Sequence, residues 1–241
     1  MLLMLLEKKA QGSHIYPLDE VVFYDTGMEF GAIYHVRDQI KEVLDYYEVP
    51  LTVLKPERPF MYDMLERPVH SKQKGDHFGY GWCGGLCRWG TRNKLDALDK
   101  YAREKDAVVY IGIASDEPNR LTRMEDYKRA PLAEWGITEK EALEYCWSRG
   151  IHWTENNDSP DLYTLLDRVS CWCCPLQNLN SLRVLYHDYP YLWKQLKEMD
   201  DKATYKFKPD YSVQQLEEKF QKEDYIKKIS IPLFDVTKHL D

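Results

Sequence analysis

Two short runs, Val21–Tyr24 (VVFY) and the stretch between Pro50 and Pro56 in PLTVLKP, constrain this chain most. Both are largely apolar rather than apolar on alternate positions only. A strand of that kind needs cover on both faces, which an antiparallel hairpin open to water on one side does not provide. Between them, Ala32–Val49 places apolar residues three and four apart, the spacing of an amphipathic helix. Strand, helix, strand with this patterning is a parallel crossover unit. The pattern recurs weakly downstream, where an amphipathic run from Arg92 to Lys105 precedes the apolar stretch AVVYIGIASDE. The expected class is therefore α/β, a parallel sheet with helices on both faces. Ligands in such sheets bind at the carboxyl ends of the strands, here at Asp25-Thr26-Gly27 and at Asp116-Glu117.

Other segments read more locally. Thr138 and Glu141 form a capping box ahead of a helix that Gly150 stops. The run from Asn178 to Asp200 is helical with a break near Pro190. Arg58–Gly81 reads as polar loop, Ser212–Lys222 as a further helix, and ISIPLFDV as an extended piece. The expected division is a domain over 1–200 and a mostly helical tail over 201–241.

With 241 residues, 44% of them hydrophobic and 13% aromatic, the chain has enough apolar side chains to bury a core, which excludes a disordered segment. Its formal charge of −7 disfavours a general nucleic-acid coat. Met1–Leu6 is the only strongly apolar start. It is too short for a spanning helix or a signal core, and no basic residue precedes it. A cytoplasmic protein without a membrane partner is expected, so its six cysteines are expected as thiols or metal ligands rather than disulfides.

Four constellations carry chemistry. Asp25, Thr26, Gly27 and Glu29 end the first strand, where the carboxylates suit ribose hydroxyls or an amine, although a plain strand-to-helix turn explains them too. Arg88, Thr91, Arg92 and Lys94 cluster at the start of a helix, a combination that suits phosphate or sulfate; a solvated basic face is the alternative. Asp116, Glu117, Arg120 and Arg129 crowd the end of the next strand and the loop beyond it, as a site or as exposed loop charge. Cys83 and Cys87, spaced C-x3-C, and Cys171 and Cys174, spaced C-x2-C with Cys173 between, can hold zinc or a 4Fe–4S cluster. A redox dithiol and inert buried thiols are the alternatives. Cys146 lies on the apolar side of a helix and reads as core.

In order along the chain, VVFYDTGMEF, RWGTRNKL, GIASDEPNRL, RAPLAEWGITEKEALEYC and CWCCP resemble the successive motifs of the phosphoadenylyl-sulfate (PAPS) reductase family. The likeness runs from about Met1 to Leu192. That family belongs to the PP-loop, adenine nucleotide alpha-hydrolase-like superfamily. The resemblance implies a Rossmann-like sheet that binds an adenine nucleotide: ATP, adenylyl sulfate or phosphoadenylyl sulfate. Asp25, Thr26, Gly27 and Glu29 fall on its D-T-G-x-E-F motif. Arg88, Thr91, Arg92 and Lys94 fall on the basic motif that handles the phosphosulfate, which makes Arg88, Arg92 and Lys94 the expected catalytic cations. Gly90 departs from that motif, and Lys94 comes one place early. Asp116, Glu117 and Arg120 fall on the third motif, from which Ala114 and Pro118 depart. Arg129, Pro131, Leu132 and Trp135 match the fourth.

The cysteines resemble the family's iron–sulfur branch, which implies a 4Fe–4S cluster on Cys83, Cys87, Cys171 and Cys174 (or Cys173), with zinc as the alternative because the first pair is split. No cysteine follows Cys174, so the family's tail-cysteine chemistry does not carry over. The superfamily's S-G-G-x-D-S phosphate loop is also missing, and MLLMLLE reads as the helix that normally follows it. The implied function is sulfur transfer or sulfate reduction. The alternatives are an ATP-dependent PP-loop sulfurtransferase with a nucleic-acid or small-molecule acceptor, and an inactive partner that completes its site from another protein chain. A homo-oligomer is a further expectation.

Overall fold

Three two-stranded ladders organise the strands, two parallel and one antiparallel. The structure is a computed structural model that describes residues 1–72, 75–156 and 158–235. In chain order the elements begin with α1 (Leu2–Ala10), β1 (Val21–Tyr24), α2 (Gly31–Tyr46) and β2 (Leu51–Leu54). A π-helical turn (Tyr62–Glu66) leads to β3 (Pro68–Ser71) and β4 (Gly75–Phe78). A second π-helical turn (Arg88–Asn93) runs directly into α3 (Lys94–Glu104). Then come β5 (Val109–Tyr110), α4 (Pro118–Leu121), β6 (Lys128–Arg129), α5 (Pro131–Glu134), α6 (Glu139–Ser148) and α7 (Leu162–Leu165). The chain continues with α8 (Leu179–Asp188), α9 (Pro190–Lys202) and α10 (Val213–Asp235).

The class is mixed α/β. The chain divides into two compact units, Met1–Pro56 with Trp89–Thr164, and Glu57–Arg88 with Leu165–Asp241. The boundary expected at residue 200 falls inside α9 of the second unit.

In the first unit, β1 and β2 pair in parallel from Val21↔Leu51 to Tyr24↔Leu54, with α2 as the crossover. The apolar start now has a place. Leu5 and Leu6 of α1 are almost fully buried with Leu18, Leu44 and Val49, and Val21, Leu51, Tyr110 and Trp135 pack around them. Helix α1 is therefore the apolar cover of one region of this unit. Burying its two leucines contributes roughly 2 kcal/mol each. The second parallel ladder, Val109↔Lys128 and Tyr110↔Arg129, is only two residues long. The AVVYIGIASDE stretch thus makes less strand than its hydrophobicity suggests. After Ile111 donates to Arg129 O, the backbone closes on itself, with Ile113 N–H bonded to Ile111 O.

A polar anchor holds the bottom of β1. Glu20 accepts from Tyr101 at 2.7 Å, from Lys105 at 2.7 Å and from the Thr52 hydroxyl. Burial opposes its ionisation, but these donors outweigh burial and hold its pKa down at about 2. An ordinary glutamate ionises near 4.5. Ionised Glu20 therefore stabilises the fold fully above that value, and the contribution fades as pH falls from 4.5 towards about 2. Glu20→Gln is expected to flatten the melting temperature's dependence on pH across that window. A slope unchanged from the native chain would show that Glu20 takes no part in acid unfolding.

Helix α6 forms as its sequence dictates. Thr138 accepts from Glu141 N–H, Glu141 returns the bond to Thr138 N–H, and Gly150 turns the chain at φ +74°.

In the second unit, α8, α9 and α10 bury Leu182, Leu185, Trp193, Leu196, Leu216 and Phe220. Pro190 starts α9 at the expected break. Arg183 grips Glu223 through two bonds of 2.7 and 3.0 Å, and Trp193 donates to Glu217 at 3.1 Å. Two expectations are corrected here. Arg58–Gly81 is not mere loop: it holds the first π-helical turn and the β3–β4 hairpin, paired from Pro68↔Phe78 to Ser71↔Gly75. ISIPLFDV is not extended over its described part, because the helix-forming run from Gln214 to Lys228 carries α10 on to Asp235; its remaining residues lie outside the described ones. Among the described residues no helix is long and apolar enough to cross a membrane.

Candidate functional site

In the first unit, the site grows from the end of β1. Asp25 N–H is held by Leu54 O, the last bond of the ladder. Gly27 then turns the chain at φ +76° and donates to Asp25 Oδ1 at 2.8 Å. A side chain at Gly27 would be strained at that angle, so glycine is needed. Thr26 accepts from Met28 N–H and donates to Glu29 Oε1 at 2.8 Å. These bonds fix Asp25, Thr26, Gly27 and Glu29 as one rigid turn ahead of α2.

Three further residues complete the turn. Tyr34 donates to Asp25 Oδ1 at 2.8 Å, and burial, then Asp25 itself, push its phenol far above the usual range. Lys55 Nζ stands 4.0 Å from Asp25 Oδ2. Glu155 lies against Gly31 so closely that a Cβ there would sit 2.4 Å from its Oε2. Its other oxygen, Oε1, is buried and accepts no hydrogen bond among the described residues. With several carboxylate oxygens and one cation, this turn suits a ligand that donates hydrogen bonds, such as ribose hydroxyls or an amine, rather than a phosphate. Sequence reading missed Tyr34, Lys55 and Glu155. Only the position of Tyr34 and Lys55 beside the strand ends offered a signal.

The expected basic residues fall into two groups. Arg120 pairs with Glu117 at 2.6 Å, and Arg129 pairs with Glu134 while lying 4.6 Å over the Tyr16 ring. Glu117 also accepts from Ala114 N–H, and Asp116 accepts from Glu139 N–H at the start of α6 at 3.1 Å. These four side chains hold loops in place. Arg92 is exposed and Lys94 half-buried, and among the described residues neither pairs with a carboxylate. Thr91 lies with them on the π-helical turn that enters α3.

In the second unit, five thiols gather from two loops. Cys83 shares a hydrogen bond with Cys87, and that bond, burial and the nearness of Cys87 and Cys174 push its thiol far above the usual range. Cys173 is 2% exposed, and burial first, then Cys171 and Cys174, raise it as well. Burial raises Cys174, opposed by backbone N–H groups of Leu176 and Gln177 directed at its sulfur and by Lys208. All six cysteines are thiols, and none forms a disulfide. Cys146 is half-buried in α6 of the first unit, whereas the other five cysteines belong to the second.

Arg88 ends this stretch. Its guanidinium stacks 3.9 Å from the Tyr80 ring, and among the described residues it makes no ion pair. Arg67 approaches the same ring at 5.2 Å and pairs with Asp63.

As a donor set, five sulfurs fit a thiophilic ion or an iron–sulfur cluster. Crowded thiols resist ionising together, and a bound cation removes that resistance. Among the described residues no group of three or more His, Cys, Asp or Glu side chains is arranged to hold a metal ion as it stands.

Compared with family descriptions, curated proteins and solved structures, the chain matches none.

Proposed function

We propose that this chain is a PAPS-reductase-type protein that binds an adenylylated or phosphosulfate nucleotide and acts in sulfur transfer or sulfate reduction. The observation that carries this reading is the meeting of Cys83 and Cys87 with Cys171, Cys173 and Cys174 in one neighbourhood, next in sequence to a basic stretch whose cations are uncommitted. The parallel β1–α2–β2 unit with Asp25 at its carboxyl end supports a Rossmann-like nucleotide domain. Asp25, Glu29 and Glu155 take the nucleoside's hydroxyl or amine donors. Arg88, Arg92 and Lys94 take the anionic groups through charge-assisted hydrogen bonds. Cys83, Cys87, Cys171 and Cys174 hold a 4Fe–4S cluster or zinc. Such a group, when bound, supplies electrons (iron–sulfur) or fixed positive charge (zinc).

Calorimetric titration of the 241-residue chain with ATP, adenylyl sulfate and phosphoadenylyl sulfate tests the proposal. The expected result is micromolar binding of a sulfated nucleotide, weakened about tenfold or more in Arg92→Ala by loss of one charge-assisted contact. An affinity unchanged in Arg92→Ala would remove the anion role from this segment. A preference for ATP would favour the sulfurtransferase reading instead, and no binding at all would leave the chain as a partner for another protein.

A further inference from the structure

The stretch Lys206–Tyr211 carries no motif, yet one of its side chains reaches the cysteine loop. Lys208 Nζ donates to Pro175 O and to Gln177 O, both at 2.7 Å. Gln177 in turn donates through Nε2 to Cys171 O at 2.9 Å and to Trp172 O at 3.2 Å. Cys174 N–H closes a turn onto Cys171 O at 3.1 Å. The carbonyls of Cys171, Trp172, Pro175 and Gln177 thus accept from Lys208, the Gln177 side chain and the turn. Leu176 N–H is directed at Cys174 Sγ, and Gln177 N–H is shared between that sulfur and Cys174 O at 3.2 Å.

Lys208 is itself held firmly. Its backbone exchanges hydrogen bonds with Tyr211. The preceding Phe207 is 1% exposed and packs edge-on against Trp82 at 4.9 Å. Trp82 donates to Asp200, which also accepts Val213 N–H at the start of α10. Lys208 is half-buried, and among the described residues it pairs with no carboxylate. A cation withdrawn from water needs an anion nearby.

We propose that Lys208 is a positioning residue for the cysteine centre: it clamps the Cys171–Gln177 loop so that backbone amides face Cys174 Sγ, and it brings to that loop a cation that no carboxylate among the described residues pairs. This rests on the reading of the thiols as a metal centre. Four thiolates around a divalent ion, or around a 4Fe–4S cluster, carry net negative charge, and Lys208 offsets part of it. Partners at this remove from a metal typically change affinity 10- to 100-fold.

The test compares the full chain with Lys208→Met, Lys208→Arg and, as a control, Lys206→Met, whose exposed lysine bonds to Gln215 and to no other side chain among the described residues. Two quantities are measured anaerobically: affinity for Co²⁺, from its thiolate charge-transfer absorption against a competing chelator, and amide hydrogen exchange over Cys171–Asn178 in the metal-free protein. Lys208→Met is expected to weaken Co²⁺ binding about tenfold or more and to speed exchange in that loop, with exchange in α8 and α9 unchanged. Lys208→Arg is expected to recover most of the affinity, which a purely space-filling role would not produce. Native Co²⁺ affinity in Lys208→Met would overturn the proposal. If the native chain takes up no Co²⁺, the metal reading fails, and the exchange measurement alone decides the clamp: native exchange in Lys208→Met would overturn it too.

Discussion

Gly79→Ala is expected to destabilise the second unit by about 3–5 kcal/mol. A Cβ at this position would lie 2.1 Å from Met64 O and 2.7 Å from Leu65 Cα. Both are backbone atoms of the first π-helical turn, so no side-chain rotation relieves the clash. Residue 79 also sits at φ +69°, where an L side chain adds about 1 kcal/mol of strain. The close approach serves a set of bonds: Gly79 N–H to Arg67 O, Tyr80 N–H to Asp63 O and Gly81 N–H to Met64 O, at 2.7 to 3.0 Å. Pushing the two segments apart breaks them together, and Tyr80 then no longer presents its ring to Arg88. A fall in melting temperature of roughly 10 °C is the expected reading. Gly84→Ala is the control, since a Cβ there meets nothing within 4 Å, and it is expected to stay within about 0.5 kcal/mol of the native chain. Equal melting temperatures for the two variants would refute the packing argument.

The paired change Cys171→Ala with Cys174→Ala is expected to abolish bound metal. It removes both ends of the C-x2-C turn, including the sulfur that faces the Leu176 and Gln177 amides. Cys83, Cys87 and Cys173 remain, but they lack the sulfur that those amides face, and affinity is expected to fall by about a hundredfold or more. The measurement is metal content after anaerobic purification, with visible absorption to separate a 4Fe–4S cluster from colourless zinc. Cys146→Ala, in α6, is expected to retain the full complement. Stoichiometric metal surviving in the double variant would move the centre away from this loop.

Much of the local structure was legible because strong local signals agreed with the tertiary contacts. VVFY became β1 to the residue, and the short strand expected between Pro50 and Pro56 became β2, since charge and proline bound them. The capping box of α6 and the Pro190 break were equally plain. The β3–β4 hairpin was not, because Pro68-Val69-His70-Ser71 and Gly75-Asp76-His77-Phe78 offer no apolar alternation and stay largely exposed. The basic residues show a different limit. Spacing placed Arg88, Arg92, Arg120 and Arg129 in one list, but only the fold reveals that Glu117 and Glu134 neutralise the last two. Lys208 was invisible for a third reason. It acts on main-chain carbonyls, and a residue that recognises backbone leaves no complementary letter in the sequence.

The second unit is assembled from two stretches of chain, with Trp89–Thr164 intervening. A ribosome delivers Cys83 and Cys87 well before Cys171, Cys173 and Cys174, so for that interval the nascent chain carries half a thiol centre. The first unit's intervening segment must emerge before the second can close. Metal binding at the proposed centre would then follow synthesis of Cys171–Cys174 rather than guide the steps before it, and chains stalled before Cys171 would carry two unmatched thiols for the cell's redox and quality-control machinery to meet.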